Sequence, residues 1–194
     1  MKMNQGDTFI LESDELAMLL QARGICRFQG FPLEKIPRTK EEILLVTKKL
    51  TDKGFLVSDG IDFHIDSEIS VCITLFEQSQ GLLLVNPYTE AIPQSFLYPG
   101  RQIVVCQPVP FKKGAVKIRR ISWKELSEFA KEQGHRSNWQ YYGKEEPQAL
   151  WSMRFVLFAN GKVEIGNQWE TREISVQQLE DFLKSLIFNV QDKE

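Results

Sequence analysis

The chain writes one helix entry twice. "RRISWKELSEFAKEQG", from Arg119, and "TREISVQQLEDFLKSL", from Thr171, each place an Ile-Ser pair ahead of Leu and then Phe at the same offsets. Ser122 with Glu125, and Ser175 with Gln178, have capping-box spacing, so both stretches read as capped amphipathic helices. Each follows strand-like sequence. "GAVKIRR" alternates Val116 and Ile118 with Lys117 and Arg119, and "LWSMRFVLFANGKVEIG" is a hairpin on Asn160-Gly161. Two helices entered the same way after a hairpin need the same sheet to pack on, which predicts two β-hairpin–helix units in a pseudo-twofold antiparallel sheet. Two independent writings of a cheap capped helix remain the competing reading.

The amino-terminal part has a different rhythm. "SDELAMLLQARG" predicts a helix capped by Ser13 and stopped at Gly24, after a short strand at Phe9 to Leu11. A polar loop with Pro32 and Pro37 leads to "TKEEILLVTKKLTDKG", a helix opened by a Thr39–Glu42 capping box, with Ile43, Val46, Thr47 and Leu50 as its inner stripe. Asp59-Gly60 marks a hairpin, and "DSEISVCITLFEQS" a third helix with Ile69, Cys72, Ile73 and Phe76 on one face. From Leu82 the chain turns to strands. The expected fold is α+β, with a winged-helix-like helical subdomain over residues 1–80 and a sheet-rich subdomain over 81–194, together one compact body. At 194 residues and 42% hydrophobic content the chain can bury a core without disulfides or metals.

Chemistry is sparse in the pattern. Cys26, Cys72 and Cys106 are odd in number and widely spaced, which fits reduced, mostly buried thiols better than a disulfide framework or zinc site. The two histidines, His64 and His135, have no further ligand at metal spacing, and the sequence shows neither a Gly-x-Ser-x-Gly elbow nor a phosphate loop. Carboxylates occur as adjacent pairs, Glu41-Glu42 and Glu145-Glu146. The expectation is a protein that performs no catalysis and binds neither metal nor cofactor. The start, "MKMNQGDTFILESDEL", lacks a signal-peptide plan, and no run has membrane-span length, so a soluble, cytoplasmic protein is expected.

Two surface features stand out as partner-binding candidates. Lys112, Lys113, Lys117, Arg119, Arg120 and Lys124 form a basic run with no acid among them, readable as an electrostatic guide or as a solvated edge strand. The stretch "HRSNWQYYGKEEPQALW" gathers Trp139, Tyr141 and Tyr142 in what reads as a polar, aromatic linker. Its rings are either anchors for a partner or a cover folded back over the sheet.

The order of capped helix, proline-bearing loop, "TKEEILLVTKKLTDKGFLVSDGIDFHIDSEI", apolar helix and strand, then two hairpin-helix units, resembles the EspG-like chaperones of ESX (type VII) secretion. The resemblance runs from Phe9 to the last helix and rests on hydrophobic spacing and layout. It implies a cytosolic, non-enzymatic protein that holds helical-hairpin secretion substrates before export. The chain is shorter than that family suggests and lacks much of its carboxy-terminal helical region, so no binding residue is carried over. The rival class is a winged-helix DNA-binding regulator, with helix, wing on Asp59-Gly60 and second helix. Charge opposes it: Glu41 and Glu42 sit where a recognition helix would read bases, while Lys48, Lys49 and Lys53 lie at the far end, complementing the helix dipole. The near-neutral net charge of −2 also gives no footprint for nucleic acid.

Overall fold

Two runs of four strands build most of the sheet. A computed structural model describes residues 8–25, 28–167 and 169–188. β4 (Gly81–Pro87), β5 (Ser95–Pro99), β6 (Ile103–Pro108) and β7 (Ala115–Ile121) form one antiparallel meander, and β8 (Arg136–Gly143), β9 (Trp151–Leu157), β10 (Lys162–Gly166) and β11 (Thr171–Ser175) form another. β4 and β8 pair antiparallel at the centre, from Gly81 opposite Gly143 to Pro87 opposite Ser137. β1 (Thr8–Glu12) joins β7, giving the order β1-β7-β6-β5-β4-β8-β9-β10-β11. The protein is therefore of the α+β class, and no helix among the described residues is long and apolar enough to cross a membrane.

Period-two alternation sends neighbouring residues to opposite faces and so to two cores. Leu82, Phe96, Val104, Cys106, Val116 and Ile118 meet α1 (Ser13–Ala22) and α3 (Ser67–Glu77) on one side, with α2 (Lys40–Asp52) packed on α1. Leu83, Val85, Leu97, Ile103 and Val105 meet α4 (Leu126–Glu132) and α5 (Leu179–Phe188) on the other. Both of the latter helices begin with a 3₁₀ turn, Trp123–Glu125 and Val176–Gln178, after a complete capping box at Ser122 and Ser175. The hairpin of β2 (Leu56–Ser58) and β3 (Phe63–Ile65) links α2 to α3.

The cap of α1 is Glu12 rather than Ser13. Glu12 ends β1 with extended backbone, φ −81° and ψ 159°, and its N–H donates to Glu15 Oε2 at 2.7 Å. Glu15 is fully buried and takes Lys53 at 2.7 Å, while Lys49 bridges Glu12 at 2.8 Å and Asp14 at 3.2 Å. These pairs clamp α2 to the start of α1.

The aromatic linker expected after Gly134 is instead a central strand. Ser137, Trp139 and Tyr141 point to the α4–α5 core, whereas Asn138, Gln140 and Tyr142 alternate to the other face. A polar outer face disguised a strand whose inner residues are fully enclosed. β11 is likewise an edge strand placed between the second hairpin and α5, where the sequence had suggested a direct handover. Cys26 lies outside the described residues; Cys72 and Cys106 are both buried.

Candidate functional site

The site begins with Tyr98, because β5 places its ring on the α1–α3 side at 3% exposure. Its hydroxyl donates to the Gln29 carbonyl at 2.8 Å and accepts the Phe31 N–H at 3.2 Å, stapling the segment before Pro32 onto the sheet. Phe28 stacks on Tyr98 at 5.3 Å between centroids, and Phe76 of α3 meets the same ring edge-on at 4.8 Å. Gly30, at φ +106°, lies so close that a Cβ would sit 2.7 Å from the tyrosine oxygen. Only glycine permits this approach. The expected polar loop is thus an apolar strap carrying Phe28, Phe31 and Leu33 into the core.

Beside this strap runs a groove of about 950 Å³, walled by Ala17 and Gln21 of α1, by Ile25, by Phe28 to Leu33, and by the end of α3. The fourth wall comes from across the sheet. Pairing of Gly81 with Gly143 brings Lys144 to Pro147 beside α3, where Lys144 Nζ donates to the Glu77 carbonyl at 2.9 Å and Gln29 Nε2 donates to the Glu146 carbonyl at 2.7 Å. Glu145 occupies the left-handed region at φ +66° in a tight turn closed by the Glu146 N–H on the Gly143 carbonyl. The rim therefore carries Glu77, Glu145 and Glu146 around one lysine, over an aromatic floor.

This arrangement suits binding. The lining among the described residues holds no histidine or cysteine. Cys106 lies beneath the floor, and burial pushes its thiol well above the ordinary range, away from the reactive thiolate. Burial also raises the Tyr98 hydroxyl, keeping it a neutral donor. Among the described residues no cluster of three His, Cys, Asp or Glu is placed to hold a metal ion.

The candidates expected from the sequence are not brought together. Trp139 and Tyr141 are 1% and 2% exposed. Trp139 stacks on Phe155 at 4.5 Å and donates its indole N–H to Ser137 Oγ at 2.7 Å; Tyr141 stacks on Trp151 and donates to the Gln80 carbonyl at 2.9 Å. Loss of water pushes the Tyr141 hydroxyl up to about 12. Both rings are core and unavailable to a partner in this fold. Tyr142 is half-buried on the opposite face.

The basic run is dispersed, and three of its six members are paired. β7 is an interior strand between β1 and β6, so it is no edge. Lys112 pairs with Glu12 at 3.2 Å, Arg120 with Glu68 at 2.7 Å, and Arg119 pairs with Glu132 while lying 5.6 Å over the Phe129 ring. Lys117 lines a smaller cavity of about 320 Å³. Lys113 is exposed at the β6–β7 turn.

The groove residues, absent from the sequence-based expectation, still carry a signal. "FQGF" puts two rings around a glycine ahead of a proline, and a loop bearing two phenylalanines belongs against a core. Compared with protein-family models the sequence matches none, and no curated protein is significantly similar to it.

Proposed function

We propose that the protein is a non-enzymatic binding protein that holds an amphipathic helical segment of a partner protein in the groove between α1, the Phe28–Phe31 strap and the Lys144–Pro147 turn. The observation carrying this reading is the groove itself: about 950 Å³, floored by Phe28, Phe76 and Tyr98 and rimmed by three carboxylates. An apolar trough takes the apolar face of a helix, and the carboxylates complement lysines or arginines flanking that face. The resemblance to EspG-like chaperones supplies the setting, cytosolic custody of a helical substrate of type VII (ESX) secretion. The helix–hairpin–helix order of α2, β2–β3 and α3 is then a winged-helix-like shape kept for packing, and each four-strand run with its helix is a copy of one duplicated unit.

Hydrogen–deuterium exchange on the protein with a co-expressed helical-hairpin secretion substrate tests the reading. Protection should concentrate at residues 28–36, 74–79 and 144–147, and Phe28→Ala with Glu146→Lys should weaken the complex by about 2 kcal/mol or more. Protection confined to the open face of β8–β10 would overturn it. Nanomolar, sequence-preferring duplex binding that persists at high salt would favour the DNA-binding class instead.

A further inference from the structure

The second helix shows apolar surface on the wrong side for a simple amphipathic packing. At 100° per residue, Val46 and Leu50 lie together on the face toward α1, and both are buried. On the far side, within about 60° of the line diametrically opposite, stand Glu41, Leu44, Leu45 and Lys48, all exposed, with the two leucines at 59% and 53%. Neither Glu41 nor Lys48 takes part in an ion pair among the described residues, whereas Lys49 and Lys53 on the flank are tied to Glu12, Asp14 and Glu15. The hairpin that follows α2 also exposes apolar side chains, with Val57, Ile61 and Phe63 at 53%, 90% and 56%.

The order of this stripe identifies what covers it. Glu-x-x-Leu-Leu-x-x-Lys reads as its own complement when one helix is reversed against another, because positions 41 and 48 exchange places about a centre between 44 and 45. We propose that the outward face of α2 is a two-fold interface with a second copy of this chain, the two α2 helices packing antiparallel on Leu44 and Leu45. Each Glu41 then faces Lys48 of the second copy, giving two symmetry-related ion pairs at the ends of an apolar centre. Antiparallel docking also brings each hairpin beside the amino-terminal end of the other α2, where Ile36 is 38% exposed. The Lys49 and Lys53 clamps hold α2 rigid before association, so little order is lost on pairing. Two leucines and two solvent-exposed ion pairs make a weak contact, so a Kd in roughly the micromolar range is expected.

Sedimentation equilibrium of the full chain over roughly 1 to 200 µM, at low and high salt, tests the proposal. The wild type should dimerise. Leu44→Glu should remain folded by circular dichroism and be monomeric throughout. Glu41→Lys and Lys48→Glu, each turning two attractions into two repulsions, should separately weaken the dimer roughly tenfold, more at low salt. The combined Glu41→Lys/Lys48→Glu protein should recover wild-type association, and an equimolar mixture of the two single variants should pair better than either alone. A wild type that stays monomeric overturns the proposal, as does a dimer indifferent to Leu44→Glu or a double variant that fails to recover. Should Leu44→Glu unfold the chain, the charge exchange decides alone.

Discussion

Replacing Trp139 by alanine separates a core ring from a surface anchor. A buried tryptophan removes on the order of 200 Å² from water, about 5 kcal/mol at ~25 cal/mol per Å². The remaining alanine and partial collapse of the site reduce that figure, while loss of the 4.5 Å stack on Phe155 and the edge contact with Phe129 restores part of it. The expected cost is therefore about 3–5 kcal/mol, which for a chain of this size lowers Tm by roughly 8–15 °C. Equilibrium urea unfolding followed by far-UV circular dichroism, with the slope unchanged, gives the value directly. Ser137→Ala adds a finer check, since it strands the indole N–H that donates to Ser137 Oγ at 2.7 Å, and costs about 1–3 kcal/mol. Trp139→Phe with Ser137→Ala removes donor and acceptor together and should cost less than the two single changes summed. A Trp139→Ala protein destabilised by under about 1 kcal/mol, yet unable to bind a partner, would refute the reasoning and return the ring to the surface.

Three further outcomes follow from local geometry. Lys49, then Lys112, holds the Glu12 carboxyl down to about 2, below its value in the unfolded chain, so its stabilisation is complete above about pH 5 and disappears as pH falls toward 2. Glu12 is partly exposed, and screening limits the contribution to about 1 kcal/mol, which Glu12→Gln should remove from an acid-unfolding profile. Gly30→Ala forces a methyl to within 2.7 Å of the Tyr98 oxygen at a left-handed backbone position, and chemical denaturation should register a loss of about 2 kcal/mol. Phe111 is wholly exposed with φ +63° in the turn after Pro110, so Phe111→Gly relieves strain at no packing cost and should raise Tm in calorimetry by about 1–2 °C; a fall would show that the ring is held.

Much of the local structure was legible because short-range chemistry dictates it. The Thr39–Glu42 box opens α2, with the Glu42 N–H donating to Thr39 Oγ1 at 3.2 Å, and the boxes at Ser122 and Ser175 form where their spacing required. Gly134 and Gly161 both adopt positive φ, one ending α4 and one turning the β9–β10 hairpin. Strand β8 was missed for a physical reason. Its inner residues Ser137, Trp139 and Tyr141 are enclosed by a sheet and two helices contributed from elsewhere, while Asn138 and Gln140 keep the outward pattern polar. Period-two alternation was present, but mixed polarity and the following Gly-Lys-Glu-Glu-Pro masked it.

The groove was beyond reading for a different reason. Its walls come from α1, a loop, the end of α3, one residue of β5 and a turn more than sixty residues beyond α3, brought together by the β4–β8 register. No local spacing encodes that register, since it depends on which inward faces share a core. The face of α2 is the opposite case. "ILLV" at residues 43–46 places four apolar side chains across 300° of helix, so one packing partner cannot cover them all. Val46 goes inward, Leu44 and Leu45 go outward, and Ile43 is left 42% exposed between them. The run thus leaves two leucines for the second apolar surface proposed above, and the charges three residues to either side of the leucine pair are what give that proposal its antiparallel direction.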